Sequence, residues 1–258
     1  MTYQSILVTG SSRGLGAALA RRFAAPGVTL RLVARDAGAL AASAAACVGR
    51  GATVETALCD VRDAAVLASR LQAWDDAVPF DLVIANAGVT GGTPPGGGLE
   101  DWASADRVLG VNLIGAVNTV APLLPRLVAR RAGRLAFIAS VAAFRGLPDS
   151  PAYCASKAGL WAYGESLRAR LAPEGVGVTV CAPGFFQSAM SRKFSGSHPF
   201  ELSAEAMAER LARAIEAGQG RAIVPRRIGL PLRLLELLPA RLADLATRRF
   251  RFTIADQR

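Results

Sequence analysis

Short apolar, β-prone runs alternate along the chain with longer stretches of helical composition. Runs at 3–9, 28–34, 53–59, 80–86, 134–140, 176–182 and 221–224 predict seven strands. Helices are predicted over 14–25, 36–49, 63–77, 100–131 (with a break), 153–172 and 203–217. Several strands are apolar at every position, as in Leu82-Val83-Ile84-Ala85, so both of their faces need cover. Repeated strand–helix units imply a single α/β domain with a parallel, doubly wound sheet and right-handed crossovers. In such a sheet a ligand binds beyond the carboxyl ends of the strands, where the strand order reverses. The alanine-rich run Ala37 to Ala46 is helix filler and carries no chemistry.

The pattern changes near residue 228, dividing the chain into a main domain, 1–227, and a helical extension, 228–258. The extension reads IGLPLRLLELLPARLADLATRRFRF from Ile228 to Phe252. Pro231 and Pro239 each suit the first turn of a short helix. Leu230, Leu234, Leu237 and Leu238 cluster at helical spacing, as do Leu242 and Leu245, with arginines between them. Two readings are open. The helices can lie on an anionic bilayer, apolar side down, or pack against the pocket or a partner subunit.

Charge sharpens this division. The net charge of +10 arises from 28 arginines and two lysines against 20 acids. Six of those ten charges fall in Arg221 to Arg258, where nine arginines face Glu236, Asp244 and Asp256. The excess belongs to the tail, and it lacks the interleaved aromatics of a single-strand nucleic-acid platform. No nucleic-acid partner is expected. Cys47, Cys59, Cys154 and Cys181 form no Cys-x-x-Cys pair, which suggests free thiols in a reducing compartment. No basic region followed by an apolar core marks a signal peptide. The charge-free spans Leu82 to Leu99 and Val108 to Pro125 are interrupted by glycine, proline or asparagine and do not read as membrane spans. A cytoplasmic protein is expected, with membrane contact only at its periphery.

The chemistry concentrates in Ser140 to Lys157. An apolar run delivers Ser140 at a strand end, and Tyr153 and Lys157 stand four apart on the next helix, sharing one face. A serine hydroxyl, a phenol and an ammonium together suit polarising a carbonyl oxygen and handing it a proton. A free phenol has a pKa of about 10, and a neighbouring ammonium lowers it. Near the amino terminus, the strand ending at Val8 runs into Thr9-Gly10-Ser11-Ser12-Arg13-Gly14-Leu15-Gly16 and then a helix. Glycines let such a turn approach a phosphate, and the helix's first N–H groups point at the anion. Gly10, Gly14 and Gly16 depart from the Gly-x-Gly-x-x-Gly spacing.

Together these stretches resemble the classical short-chain dehydrogenase/reductase family. The resemblance rests on Thr9, Gly10, Gly14 and Gly16; on Asn86-Ala87-Gly88; on Asn112 within Val111-Asn112-Leu113; on Ser140; on Tyr153 and Lys157; and on Pro183-Gly184. It covers roughly residues 3 to 225, in the family's motif order. It implies a Rossmann-type fold and a nicotinamide dinucleotide, bound by Gly10, Ser12, Arg13, Gly14, Leu15, Gly16, Arg35, Asp60, Val61, Asn86, Ala87, Gly88, Tyr153, Lys157, Pro183, Gly184 and Ser188. It further implies a catalytic set of Asn112, Ser140, Tyr153 and Lys157, with Asn112 holding a water that links Lys157 to solvent. Tyr153 would be the acid/base in hydride transfer between a carbonyl and an alcohol. A homo-dimer or homo-tetramer is the family's usual assembly.

Further details follow from the resemblance. The second strand closes on Ala34 and Arg35, where NAD-preferring relatives carry an acid, and Arg13 resembles a second basic residue of NADP-type members. This favours NADP(H) over NAD(H), with Asp36 one step outside the ribose contact. Asp60 is either an adenine contact, a helix N-cap, or both. Asn112 has a plain alternative as a buried residue bonding helix backbone. Ser188 stands where the family usually has threonine. The loop Phe185 to Ser203, with Phe185, Phe186, Met190 and Phe194, predicts a lipophilic substrate, and its single histidine, His198, a solvent-exposed position. An NAD-dependent alcohol dehydrogenase and a catalytically silent nucleotide-binding regulator are the alternatives.

Overall fold

The computed structural model describes residues 3–94, 97–195, 198–247 and 253–254. The rest of the tail, including Arg248 to Phe252, Asp256 and Arg258, lies outside the described residues. Seven strands form one parallel sheet: β1 (Ser5–Thr9), β2 (Thr29–Ala34), β3 (Thr53–Leu58), β4 (Leu82–Ala85), β5 (Arg134–Ile138), β6 (Gly177–Pro183) and, after a short β7 described below, β8 (Arg221–Val224). Their order is β3-β2-β1-β4-β5-β6-β8. Pairing runs outward from β1 in one direction and from β4 in the other, as in the registers Val8 opposite Leu32 and Val8 opposite Ile84. The switch between β1 and β4 opens the crevice in which doubly wound sheets bind ligands.

The predicted double cover is present. One face is packed by α1 (Gly14–Phe23), α2 (Ala37–Val48) and α8 (Ala204–Glu216), with Ile6, Leu30, Leu32, Ile84, Leu19, Leu40, Met207 and Leu211 in its core. The other is packed by α3 (Ala64–Ala77), the helices of residues 102–130 and α7 (Pro151–Leu171). Each fully buried leucine contributes roughly 1.5–3 kcal/mol, so these two cores dominate the gain in folding. Short polar residues start the helices: Asp36, Asp63 and Ser203 each accept a hydrogen bond from the backbone three residues on. The four cysteines are free and buried.

The region 102–130 breaks as expected, in a manner the sequence does not show. Helix α4 (Trp102–Leu109) passes into a π turn over Gly110–Ile114, then α5 (Gly115–Val120), a tight turn and α6 (Leu124–Arg130). By length and composition this run could cross a membrane. Val108, Val111, Asn112, Ala116, Val120, Leu123 and Leu127 are nevertheless buried, most of them against the sheet.

Helix α7 starts at Pro151, two residues before its expected start, because proline is preorganised for a first helical turn. Pro231 does not open a helix. It lies inside α9 (Arg226–Leu234), which starts after Pro225 and runs through the expected boundary at 227/228. Pro239 immediately precedes α10 (Ala240–Thr247). Ile228 and Leu232 of α9 pack on Val141, Phe144 and Ala182, so this helix is docked on the main domain. A two-stranded pair, β7 (Phe194–Ser195) with β9 (Thr253–Ile254), was not expected, since two residues carry no periodicity.

Candidate active site

The glycine turn leaves β1 at Thr9, and each glycine has a local cause. Gly10 takes a positive φ of 68°, and a Cβ there would stand 2.6 Å from the Ala87 Cα. A Cβ on Gly16 would meet the Gly10 carbonyl oxygen at 2.2 Å. Gly14, with φ of 57°, has only the Ser188 Cβ near that position, at 3.8 Å, which leaves room for a ligand over the turn. Arg13 occupies the N-cap of α1 without capping it by its side chain, and the first turn carries no acid. The N–H groups at this end, from Arg13 through Leu15 and Gly16, therefore present an uncompensated positive end suited to an anion. Leu15 is buried beneath, whereas Ser12 is half-buried and Arg13 is exposed.

Asn86 ties the neighbouring strand end to this turn. Its amide donates to the carbonyls of Thr9 and Gly10 at 3.0 and 3.1 Å, and its backbone N–H donates to the Thr9 hydroxyl at 3.2 Å. Ala87 and Gly88 follow along the crevice. A Cβ on Gly88 would lie 3.4 Å from Asn112 Oδ1 and 3.5 Å from Lys157 Nζ, so the bare backbone passes close to both groups.

Ser140, Tyr153 and Lys157 converge as expected. The Ser140 hydroxyl accepts from the Ala142 N–H at 3.1 Å, fixing it in the turn after β5. Lys157 is 4% exposed, and its ammonium donates to the Ile138 carbonyl at 2.9 Å. That ammonium sits 5.8 Å from the centroid of the Tyr153 ring. Burial pushes the Tyr153 phenol up to about 12, against the Ser140 hydroxyl, which pulls the other way. Burial also pulls Lys157 down to about 8. The expectation that the ammonium lowers the phenol's pKa is thus corrected. Lys157 faces the ring and donates to the Ile138 carbonyl, and burial sets the direction of the phenol's shift.

Asn112 is fully buried in the π turn. Its Oδ1 accepts from the Val89 N–H at 2.7 Å, and its amide donates to the Val89 carbonyl and the Ser156 hydroxyl, both at 3.0 Å. Ser156 in turn donates to the Tyr153 carbonyl at 2.7 Å. Both amide protons are engaged, so the side chain pins the loop after β4 to α7. Its partners are loop backbone and a serine, not the helix backbone of the plain alternative. Ser156 was not singled out by sequence, although it stands one residue before Lys157.

At the far end of the crevice, Asp60 is not a helix N-cap; Asp63 fills that role for α3. Asp60 accepts instead from the Arg62 guanidinium at 2.8 Å and backbone at 3.0 Å, and from Arg35 at 3.3 Å. The Arg62 contact holds its carboxyl down to about 2. Burial depresses Arg107, and the charges of Arg35 and Arg62 add to that. Arg62 and Arg107 thus complete a basic cluster that one arginine among 28 could not signal by sequence. Asp36 turns away to cap α2, accepting from the Ala39 N–H at 3.0 Å. Val61 is buried against Gly115, where a Cβ would meet it at 2.4 Å.

Pro183 ends β6, and the Gly184 N–H donates to the Val224 carbonyl at 2.7 Å. Ser188 and Ser191 exchange backbone-to-hydroxyl bonds at 2.9 Å, seating Ser188 over Gly14. His198 is not solvent-exposed, correcting the expectation. Its ring stacks on Phe185 at 4.9 Å, and Nδ1 lies 3.1 Å from Glu201 Oε1.

The glycine cradle, the uncapped helix end and the basic cluster fit a dinucleotide. The short chain dehydrogenase family model matches residues 4–198. The chain belongs to the short-chain dehydrogenase family. This short-chain dehydrogenase is 37% identical over 252 residues to an uncharacterized oxidoreductase of Myxococcus xanthus, covering 97% of this chain and 99% of the relative. It is 34% identical over 187 residues to the ketoacyl reductase HetN of a Nostoc species, covering 72% of this chain and 64% of that protein. Among solved structures, a short chain dehydrogenase/reductase of Burkholderia phymatum in complex with NAD superposes with a TM-score of 0.81 at 23% identity, covering 95% and 96% of the two chains. As a short-chain dehydrogenase, the protein is an NAD(P)-dependent oxidoreductase with a Rossmann-type fold acting on small molecules.

Proposed function

We propose that this enzyme interconverts a carbonyl and an alcohol with NADP(H), on a lipophilic substrate, using Tyr153 as acid/base. The observation that carries the reading is the convergence of Ser140, Tyr153 and Lys157 beside Gly88, at the crevice shared with the glycine turn. A bound nicotinamide supplies or accepts the hydride. The phenol, protonated at neutral pH, donates its proton to the substrate oxygen as that oxygen gains charge. Ser140 donates a second hydrogen bond to the same oxygen. Lys157 would hold the cofactor's hydroxyls. Asn112 positions these groups by locking the Val89 loop to α7, and the water relay to Lys157 would then use its remaining Oδ1 lone pair or its backbone. Acid–base catalysis of this kind contributes roughly 100- to 10,000-fold.

Arg35 and Arg13 would take the 2′-phosphate, with Asp60 and Val61 toward the adenine and Pro183, Gly184 and Ser188 toward the nicotinamide. The solved Burkholderia relative is in complex with NAD. The arginine cluster with no acid at Ala34 supports the NADP(H) reading for this chain. The name of the ketoacyl reductase relative supports a carbonyl substrate. Phe185, Phe186, Met190 and Phe194, all half-buried in the loop after β6, support an apolar one.

The test is a panel of ketones and aldehydes with NADPH, followed at the nicotinamide absorbance. Tyr153→Phe should fold, bind NADPH and lose turnover at least about 100-fold; retention of more than a tenth of the wild-type rate sinks the assignment.

The extension supports a further reading of place. Leu230, Leu234, Leu237, Leu238, Leu242 and Leu245 are all exposed, beside exposed Arg226, Arg227 and Arg241. Leucines facing solvent do not line their own pocket. We take them as an anionic-bilayer contact of a cytoplasmic enzyme, made by the outward faces of α9 and α10, with 1–227 carrying the chemistry. The assembly proposed is a homo-dimer or homo-tetramer, after the habit of the family.

A further inference from the structure

The loop after β6 has no covalent reason to stay over the crevice, yet it is held at both ends. Ser188 rests on the glycine turn. At its far end, β7 pairs antiparallel with β9, Phe194 opposite Ile254 and Ser195 opposite Thr253. The Ser195 and Thr253 hydroxyls lie 2.7 Å apart, and the Thr253 N–H donates to Ser195 Oγ at 3.0 Å.

Strand β9 is itself anchored on the other bank. The Ile254 N–H donates to the Thr93 carbonyl at 2.9 Å, and Ile254 is 1% exposed. Its side chain fills the space beside Gly92, where a Cβ would stand 2.8 Å from Ile254 Cδ1 and 2.0 Å from the Asp149 carbonyl. The Thr93 N–H also donates to that carbonyl, at 2.8 Å. Asp149 and Ser150 immediately precede the helix that carries Tyr153. A continuous chain of contacts therefore runs from the glycine turn through the loop, across β7 and β9, to the approach of α7.

We infer that Ile254 is a positioning residue. It fastens the loop after β6 to the opposite bank and so makes strand β9 part of the wall around the carbonyl substrate. This deepens the function proposed above and rests on it for the word substrate, but the fastening itself does not. A buried isoleucine on a two-residue strand favours the closed loop by at least about tenfold if its burial depends on closure.

The fastening is tested in the full chain with trypsin, which can cut after the exposed Arg192 in the loop. Ile254→Asp should speed cleavage at Arg192 at least about tenfold, as expected from that burial. Ile254→Val should speed it less than Ile254→Asp does, by roughly two- to tenfold, since only one methylene is lost. NADPH affinity, read by nucleotide fluorescence, should be unchanged in both variants. If decanal is turned over, its KM should rise more than kcat falls in Ile254→Asp. Unchanged cleavage in Ile254→Asp overturns the proposal, as does equal acceleration in Ile254→Val. If Ile254→Asp fails to fold, Thr253→Ala with Ser195→Ala replaces it, and unchanged cleavage there overturns the proposal equally. Tyr153→Phe should leave the cleavage rate at the wild-type value, so failure of the catalytic reading shows separately.

Discussion

Burial sets the resting state of the two proposed acid–base groups in opposite directions. Lys157 is pulled down from 10.5 to about 8, and Tyr153 is pushed up from 10.0 to about 12. Charging Lys157 in the fold therefore costs about 3 kcal/mol at neutral pH. Between pH 8 and 10.5 the unfolded chain holds more protons at this site, so its contribution to stability rises with pH. Tyr153 acts the other way above pH 10, where the unfolded phenol ionises first. Buried thiols such as Cys181, also pushed up, oppose the lysine from pH 9. The lysine's part is isolated by difference. Lys157→Met should remove a gain of urea midpoint between pH 8 and 10 that wild type shows relative to the variant. Equal pH profiles for the two proteins would show that Lys157 is not desolvated.

In the proposed reading, arginine placement governs cofactor choice at this same scale. Arg35 pairs with Asp60, so a 2′-phosphate would compete with a carboxylate for it. Arg35→Asp should therefore reverse the NADPH-to-NADH ratio of kcat/KM, by about tenfold or more for a lost charge-assisted contact. An unchanged ratio removes Arg35 from phosphate recognition. Ser140, Tyr153, Lys157 and the glycines were legible in sequence because together, in order, they resemble the family's motifs; local geometry alone places only Tyr153 and Lys157 on one helix face. Arg107 and Ser156 were not, because their partners Thr90 and Asn112 lie on elements distant in sequence, and Arg62 was not, because one arginine among 28 carries no signal.

Elements are joined at a few buried polar pins, and Asp75 shows how much one can matter. It lies on the inner side of α3, buried, and accepts from Arg130 of α6 at 2.9 and 3.0 Å and from the Phe80 N–H at 2.8 Å. Its neighbour Asp76 pairs with Arg126 while remaining 63% exposed. Asp75→Ala should cost about 3–5 kcal/mol, because it leaves the Phe80 amide and the Arg130 guanidinium without their buried acceptor. Asp76→Ala should change stability by less than about 1 kcal/mol. Chemical denaturation of both variants checks this, and equal losses would refute the distinction. The sequence reads the two aspartates alike, side by side on one predicted helix; only the α6 packing separates them. The π turn at Gly110–Ile114 and the strands β7 and β9 escape sequence analysis for a related reason. They exist because a tertiary partner holds them, whereas the seven sheet strands announce themselves by short β-prone runs, apolar throughout in β4. Arg31 interrupts one of the more apolar runs. It is buried in β2 and satisfied by Glu55, Ser5 and the Val78 carbonyl.

For the whole molecule, charge and apolar surface coincide at one end of the chain. Helix α9 buries Ile228, Gly229 and Leu232 on the main domain and turns Leu230 and Leu234 outward. The acid of α10, Asp244, is matched by Arg145, leaving Arg226, Arg227 and Arg241 available to phosphates. An anionic bilayer satisfies both features at once. Burying two leucines is worth roughly 3–6 kcal/mol, more than a hundredfold in binding, and the arginine part must weaken with salt. The enzyme should therefore co-sediment with phosphatidylglycerol vesicles at low salt and far less with phosphatidylcholine vesicles. Leu234→Asp with Leu242→Asp should abolish sedimentation while leaving the oligomeric state by light scattering and the NADPH affinity unchanged. If the same pair instead dissociates an oligomer and wild type ignores the vesicles, the leucines belong to a partner subunit and the bilayer reading fails.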